Sequence, residues 1–171
     1  MRKVTIKIEA LTVANFEPFG KIVEVPASSP TKVGDGWECW NYIQMMEVDT
    51  EVGMGLVNTK RRPFIIESME RHDSREELLI ALQGDIIQPL ALSKDLENPD
   101  EKPDPSLVKC LHLKQGQGII IKKGVWHSPA YPATEDTLYF FAIERKPDKF
   151  GDEIMNPWVE FENNAKVAFE F

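Results

Sequence analysis

Residues 70–84 read ERHDSREELLIALQG, and this stretch decides the fold assignment. Glu70 and His72 are two positions apart, so in an extended chain their side chains point to the same face. Glu77 then opens an apolar run that ends in a turn at Gly84. The pattern predicts two carboxylates and an imidazole grouped at the start of a short strand.

A second segment carries another imidazole in a comparable setting. Gly116 is followed after five residues by Lys122, after one more by Gly124, and after two more by His127. A glycine tolerates the backbone conformation of a tight turn, and a turn at Gly124 can aim His127 inward. This segment therefore predicts a second hairpin that supplies a ligand to the same site.

The two segments together offer an oxygen and nitrogen ligand set. Two carboxylates and two imidazoles suit Mn, Fe, Ni, Co or Zn, and the thiolates typical of a structural zinc site are missing. Three or four protein ligands leave open positions for a substrate. We therefore predict a divalent metal ion of uncertain identity at Glu70, His72, Glu77 and His127.

The rest of the chain is typical of an all-β protein. Thr12 is placed to cap one short helical turn, and 26–36 and 93–106 are predicted to be exposed loops, because both are rich in turn-forming residues. About ten short strands separated by such turns favour a sandwich or barrel. The alternating or apolar segments are 4–8, 21–25, 54–57, 64–66, 78–82, 86–92, 108–113, 118–121, 137–144 and 167–171.

Composition narrows the class of protein. The chain has 171 residues, which predicts one domain over 1–171, and its net charge of −8 argues against binding nucleic acid, which needs a basic face. No apolar run is long enough to span a membrane, and lysines interrupt the N-terminal segment, so no secretory signal is expected. Cys39 and Cys110 form no zinc or disulfide pattern. We predict a cytoplasmic protein that acts on a small molecule.

Both polar segments resemble the motifs of the cupin superfamily. The first resembles His-x-His-x4-Glu-x6-Gly, with Glu70 in place of the first histidine. The second resembles Gly-x5-Pro-x-Gly-x2-His-x3-Asn, with Lys122 and Tyr131 in place of the proline and the asparagine. The resemblance implies an all-β cupin, that is, a double-stranded β-helix or jelly-roll barrel, with short helical turns.

A narrower resemblance is carried by residues that together span most of the chain: Leu11, Phe16, Phe19, Gly20, Glu70, Arg71, His72, Gly124, Val125, Trp126, His127, Pro129, Ile143, Glu144 and Arg145. In these residues the chain is similar to the ureidoglycolate lyase family. The resemblance implies a carbon–nitrogen lyase that releases glyoxylate and urea from ureidoglycolate or a related 2-hydroxy acid, and it implies a homodimer. Alternation at Val4, Ile6, Val167 and Phe169 predicts edge strands near the chain ends, which also favour a dimer because exposed edges need covering.

The candidate catalytic residues follow from the chemistry of such a reaction. Glu70 is our candidate for the general base if it is not a firm metal ligand, and Lys122 is the next candidate. In the basic run 60–62, Arg61 is the candidate that holds a substrate carboxylate, although this run is also typical of a solvated edge. Tyr139 lies on a predicted strand near the site and is expected to line it.

Other readings stay open from the residues alone. The same ligand set suits an iron-dependent dioxygenase or a sugar isomerase, and a cupin of this size can also bind a small molecule without turnover. Outside the site, we expect His112 to be structural, Arg71 to pair with Glu144 in the barrel wall, and Arg145 to belong to an ion pair.

Overall fold

The computed structural model describes residues 3–146 and 158–171, and β-strands dominate them. Within these residues one α-helix is present, α1 (Val13–Phe16), and Thr12 caps it as predicted, because its Oγ1 accepts from the Asn15 amide at 3.2 Å. Two 3₁₀ turns cover Pro105–Leu107 and Glu162–Asn164. The strands are β1 (Lys3–Ala10), β2 (Gly20–Val23), β3 (Lys32–Gly34), β4 (Trp37–Cys39), β5 (Val52–Thr59), β6 (Ile65–Ile66), β7 (Ser68–Met69), β8 (Glu77–Gln83), β9 (Ile86–Ala91), β10 (Lys109–Leu113), β11 (Gly118–Ile121), β12 (Trp126–His127), β13 (Tyr131–Pro132), β14 (Thr137–Glu144), β15 (Val159–Glu160) and β16 (Lys166–Glu170).

Two large sheets form the body of the protein. The first has the strand order β12-β9-β10-β1-β16-β6, with β13 also paired to β9, and the second has the order β2-β11-β8-β14-β5. Their side chains share one apolar core, to which the second sheet contributes Leu79, Ile119 and Tyr139 and the first contributes Leu90 and Leu111. The predicted all-β cupin architecture of two packed sheets is therefore confirmed.

The strand β9 explains why the first sheet is covered on both sides. All six of its residues are buried, and alternate side chains enter different apolar clusters. Ile86 and Leu90 pack between the two sheets, whereas Ile87 and Ala91 pack on the other face against Phe161 and its neighbours. A strand that is apolar on both faces is stable only when other residues pack on both faces. On the second face of β9, residues 161–169 of the C-terminal segment are part of that packing.

The chain ends are interior strands, so the predicted exposed edges are wrong. β1 pairs in parallel with β10 on one side and with β16 on the other. β16 also pairs with β6, and its Val167 and Phe169 are 0% and 4% exposed. Alternation predicted half-buried strands correctly, but it cannot reveal that the two ends of one chain cover each other.

Both predicted loops contain more structure than expected. The segment 26–36 includes β3, which forms a hairpin with β4. The segment 93–106 is largely exposed, but Glu101 folds inward and forms a buried ion pair with Arg71. Arg71 therefore does not pair with Glu144. Its guanidinium carbon also lies 4.7 Å from the centre of the Trp126 ring, so this loop holds the arginine behind the first motif.

Glu144 instead stabilises the start of the segment that leads into β5. Its carboxylate accepts from the backbone amides of Asp49 and Thr50 at 2.7 and 2.8 Å and lies 3.2 Å from the Lys146 ammonium. Burial opposes its ionisation, but these contacts outweigh burial and lower the pKa of Glu144 to about 2. The carboxylate is thus an ionised structural anchor at neutral pH.

His112 is in a structural setting, as expected. Its Nε2 lies 2.8 Å from an oxygen of Asp85, next to the turn between β8 and β9. Arg145 is exposed and lies 3.7 Å from Glu51. Among the described residues, no helix has the length and apolar character needed to cross a bilayer.

Candidate active site

Backbone pairing brings the two polar segments together. The amide of Glu70 donates to the carbonyl of His127 and the amide of His127 donates to the carbonyl of Glu70, both at 2.8 Å. This isolated antiparallel bridge places the first motif beside β12. The carbonyl of His72 accepts from the Gly124 amide at 2.6 Å, and Gly124 has a φ of +78°, which a glycine adopts without strain. The turn predicted at Gly124 is therefore what aims His127 at the first motif.

Four side chains of the two segments converge in the barrel. His127 Nε2 lies 3.0 Å from Glu77 Oε2 and 3.9 Å from Glu70 Oε1. His72 Nε2 lies 3.7 Å from the same Glu77 oxygen. Ligand atoms of Glu70, His72 and His127 lie within 4.8 Å of one another. The two histidine side chains are 5% exposed, Glu77 is 14% exposed and Glu70 is 18% exposed, so Glu70 is the member most open to solvent.

A small cavity of about 230 Å³ opens onto these four groups. It combines a polar end, where the carboxylates and imidazoles meet, with walls that are mostly apolar. Tyr139 and Phe141 of β14 line it, as expected from their positions on that strand. The other lining residues are Val57, Leu79, Ser128, Pro129 and Ile143.

The charges in the cavity are tightly coupled. Burial alone would lower the pKa of His127, but the contact with Glu77 and the negative charges of Glu77 and Glu70 raise it to about 9. Burial alone would raise the pKa of Glu77, but the close His127 ring and the positive charge around it hold that pKa below its usual value. Without a metal, the cavity thus contains an imidazolium facing a carboxylate.

The hydrogen bonding of the two histidines differs. His127 Nδ1 lies 2.9 Å from the carbonyl of Val125, so Nδ1 donates and Nε2 faces the carboxylates, as in many metal-ligating histidines. His72 Nδ1 lies 3.3 Å from Nη2 of the buried Arg75. A guanidinium can only donate, so Nδ1 of His72 is the acceptor in this contact. His127 is therefore better arranged than His72 to ligate a cation.

Buried polar atoms without a hydrogen-bond partner indicate whether a cation fits among the four side chains. Glu77 Oε2 and His127 Nε2 are buried, and neither has a hydrogen-bond partner among the described residues. Their 3.0 Å contact lacks the alignment of a hydrogen bond. A buried oxygen and nitrogen that converge without hydrogen bonds are costly unless a further group meets both. The residues present therefore fit a divalent metal.

Tyr139 is 4% exposed at the cavity wall. Burial raises the pKa of its hydroxyl to about 12, and the charge of Glu77 acts in the same direction. The phenol is thus neutral at physiological pH, where it can donate a hydrogen bond but cannot act as a ready base.

Two residues predicted for the site are not at the cavity. Lys122 is exposed, and its ammonium donates to the carbonyl of Glu17 at 2.7 Å. The Arg61 side chain is 74% exposed and lies 4.0 Å from Glu135. The structure thus brings Glu70, His72, Glu77, His127 and Tyr139 together, but not Lys122 or Arg61.

Sequence reasoning missed Ser128 as a residue of the site. It follows His127 directly, is 4% exposed, and lines the cavity. Adjacency to a predicted ligand was a signal in the sequence, but adjacent residues of an extended chain normally point to opposite faces. The strand β12 ends at His127, and this is why both side chains reach the same cavity.

Comparison with known proteins identifies a matching family model. The model described as ureidoglycolate lyase matches residues 3–163. A ureidoglycolate lyase from Azotobacter vinelandii is 26% identical over 151 residues, covering 82% of this chain and 84% of that protein. One from Burkholderia mallei is 28% identical over 151 residues, covering 84% of each. These findings confirm the family resemblance seen in the sequence.

Among solved structures, the chain is similar to a dTDP sugar isomerase from Desulfovibrio desulfuricans G20. The identity is 17%, the TM-score is 0.40, and the match covers 77% of this chain and 83% of that one. The superposition is partial, so it bears on neither substrate nor mechanism.

Proposed function

This chain belongs to the ureidoglycolate lyase family, and we propose that it releases glyoxylate and urea from ureidoglycolate in the cavity around Glu70 and His127. The observation that carries the proposal is the convergence of two carboxylates and two imidazoles in a small cavity with apolar walls. The reaction moves one proton from the substrate hydroxyl to the departing nitrogen, and ionisable groups held close together suit such a transfer.

Glu70 is the residue that we propose moves this proton. It is the more exposed of the two carboxylates, whereas Glu77 is held ionised in close contact with His127. Glu70 accepts the hydroxyl proton as the C=O bond of glyoxylate forms and the C–N bond breaks. The electron pair of that bond goes to the ureido nitrogen, and the protonated Glu70 returns the proton there, so that urea leaves neutral.

We propose that a divalent metal, Mn, Ni, Zn, Co or Fe, is held chiefly by His127, Glu77 and His72, with Glu70 at the more exposed edge of the same cluster. The oxygen and nitrogen ligand set and the unsatisfied atoms of Glu77 and His127 support this. A bound metal would polarise the substrate hydroxyl and ease loss of its proton. Tyr139, as a neutral phenol, would orient the substrate by a hydrogen bond.

The direct test is turnover by the purified wild-type protein. We expect glyoxylate release from ureidoglycolate after loading with one of the five metals, and urea in equal amount. A coupled assay for glyoxylate and a separate assay for urea measure both products. Absence of glyoxylate with every metal would reject the lyase proposal, and consumption of oxygen would point to a dioxygenase instead.

A homodimer is the assembly that we propose, formed through the outer face of the second sheet. This face carries two apolar rows across the strands, Leu56–Phe140–Ile80 and Met54–Ala142–Leu78. Met54 and Leu56 are 73% and 59% exposed. An antiparallel sheet normally presents polar residues to water, and contiguous apolar patches beyond about a few hundred Å² are rare on monomers. A second copy with the same flat face can cover these rows symmetrically.

The dimer predicts a specific change in molecular mass. We expect light scattering to give a dimer for the wild type at micromolar concentration and a monomer for Leu56→Arg, because a charge would then be buried against an apolar face. Leu107→Arg changes another exposed leucine away from this sheet and should stay dimeric. A monomeric wild type would contradict the proposal.

Cytoplasmic location is also part of the proposed function. Cys39 and Cys110 are both free thiols, and burial raises the pKa of Cys110 well above its usual value. Free thiols fit a reducing compartment. Genes for allantoin-degrading enzymes beside the gene for this chain would support the proposed lyase activity.

A further inference from the structure

A second cavity adjoins the first and shares a wall with it. Its volume is about 590 Å³, and it is lined among others by Thr59, Arg62 and Tyr131. Both cavities are lined by Val57, Ser128 and Pro129. A substrate seated at the carboxylates of the inner cavity can therefore extend past Ser128 into the second cavity.

Ser128 presents a polar atom with no partner at this shared wall. Its hydroxyl oxygen is buried and has no hydrogen bond within the described part of the chain. The backbone is fixed, because the carbonyl of Ser128 accepts from the side-chain amide of Gln88 at 2.8 Å. A buried hydroxyl without a partner costs stability, so such an atom calls for a ligand or an ordered water.

Arg62 supplies a fixed positive charge beside Ser128. Its guanidinium donates to the carbonyls of Pro129 and Ala130, both at 3.1 Å, and to the Thr59 hydroxyl at 2.7 Å. The guanidinium carbon also lies 3.6 Å from the centre of the Tyr131 ring. Within residues 3–146 and 158–171 no carboxylate forms an ion pair with it, and its hydrogen bonds there all go to neutral oxygens.

The hydrogen bonds that Arg62 already makes indicate which end of the substrate it faces. Arginine grips a carboxylate through two parallel N–H groups, but those of Arg62 already bind neutral oxygens. It is therefore a source of positive potential and not a carboxylate clamp. Because both terminal nitrogens are engaged, Arg62 can act on a substrate through its charge, which stabilises negative charge that develops on a neutral group such as the ureido carbonyl.

We propose that Ser128 and Arg62 form the subsite for the ureido end of the substrate, an assignment that rests on the proposed function. The Ser128 hydroxyl donates to the ureido carbonyl oxygen. As the C–N bond breaks, the electron pair that goes to nitrogen is shared with this oxygen, and the charge of Arg62 stabilises it until the proton from Glu70 arrives. Both residues thus act on the leaving group.

Two inert probes test the subsite without turnover. Ureidoacetate keeps the ureido group and the carboxylate but lacks the hydroxyl that starts the reaction, and glycolate keeps the hydroxyl and carboxylate but lacks the ureido group. We expect Ser128→Ala to weaken ureidoacetate binding about 10-fold or more, the size of one lost hydrogen bond in a buried site, and to leave glycolate binding unchanged. Calorimetry on the metal-loaded protein measures both.

The variants of Arg62 test the charge. Arg62→Gln should weaken ureidoacetate binding and lower kcat, and Arg62→Lys should recover part of kcat because it keeps the charge. Arg145→Gln removes an exposed arginine outside both cavities and is the matched control. If Arg61→Gln weakens ureidoacetate binding and lowers kcat while Arg62→Gln does not, the exposed Arg61 supplies the charge. That result would overturn the proposed subsite. If Arg62→Gln does not fold, Ser128→Ala decides alone.

The remaining outcomes separate this inference from the proposed function. Equal loss of both probes in Ser128→Ala would place the carboxylate there and overturn the ureido assignment. If Ser128→Ala binds ureidoacetate and glycolate as the wild type does, Ser128 holds only a water molecule and the proposed subsite is wrong. Glyoxylate release by the wild type would still support the lyase proposal in that case. A wild type that binds neither probe and forms no glyoxylate would reject both.

Discussion

His127→Ala is expected to remove most of the bound metal and, with it, the lyase activity. The imidazole is 5% exposed, its Nδ1 is fixed by the carbonyl of Val125, and its Nε2 faces Glu77 at 3.0 Å. Substitutions of groups that merely orient a ligand cost about 10- to 100-fold in metal affinity, so loss of the ligand itself should cost at least on the order of 100-fold. Elemental analysis of the purified variant measures the bound metal.

Two other histidines are the controls for this result. His72→Ala should lose less metal than His127→Ala, because the guanidinium of Arg75 lies behind His72 and opposes a second cation nearby. His112→Ala should keep its metal, since His112 contacts Asp85 outside the cavity. Equal metal content in all three variants would exclude His127 and His72 from the metal site.

The close match between motif and site has a local cause. Glu70 and His72 share a face because side chains in an extended chain alternate, and His127 is aimed by the turn at Gly124. Both features depend on a few neighbouring residues, and spacing in the sequence reports them well. The long-range step is the backbone pairing of the two segments, at Glu70 with His127 and at His72 with Gly124, and spacing within either segment does not report it.

Longer side chains were not predictable in the same way. Lys122 lies within the second motif, yet its ammonium reaches the carbonyl of Glu17 near α1. Arg71 pairs with Glu101, which belongs to a loop that sequence patterns suggested is only a solvated connection. The partner of a long charged side chain depends on which loops pack nearby, and alternation carries no information on that.

The position of exposed apolar surface also required the structure. Alternation at the chain ends suggested edges, but β1 and β16 are paired to each other, and each has a second neighbour, β10 for β1 and β6 for β16. Met54 and Leu56 of β5, where glycines separate the apolar residues, are instead among the exposed apolar side chains. A strand's polarity can be read from its residues, whereas its neighbours are set by pairing over long distances in the chain.

Glu70→Gln is expected to lower kcat by about 10²- to 10⁴-fold while most of the metal stays bound, because a general base typically contributes that much. The substitution keeps the size of the side chain and removes the charge and the proton acceptor. Glu70 is the cavity carboxylate farther from His127, at 3.9 Å against 3.0 Å for Glu77, so its loss should disturb the metal less. Steady-state glyoxylate release and elemental analysis on the same preparation measure the two effects.

Substitutions of two other carboxylates are the controls that distinguish a base from a metal ligand. Glu77→Gln should lose metal and rate together, since Glu77 is the nearer carboxylate to His127. Glu76→Gln removes a buried charge next to the site, but Glu76 accepts from the Glu47 amide and does not line the cavity, so its rate should stay near that of the wild type. If Glu70→Gln behaves like Glu77→Gln, Glu70 is a ligand. The base would then have to be sought elsewhere, and because burial raises the pKa of the Tyr139 phenol to about 12, that neutral hydroxyl cannot replace Glu70 as the proton acceptor at neutral pH.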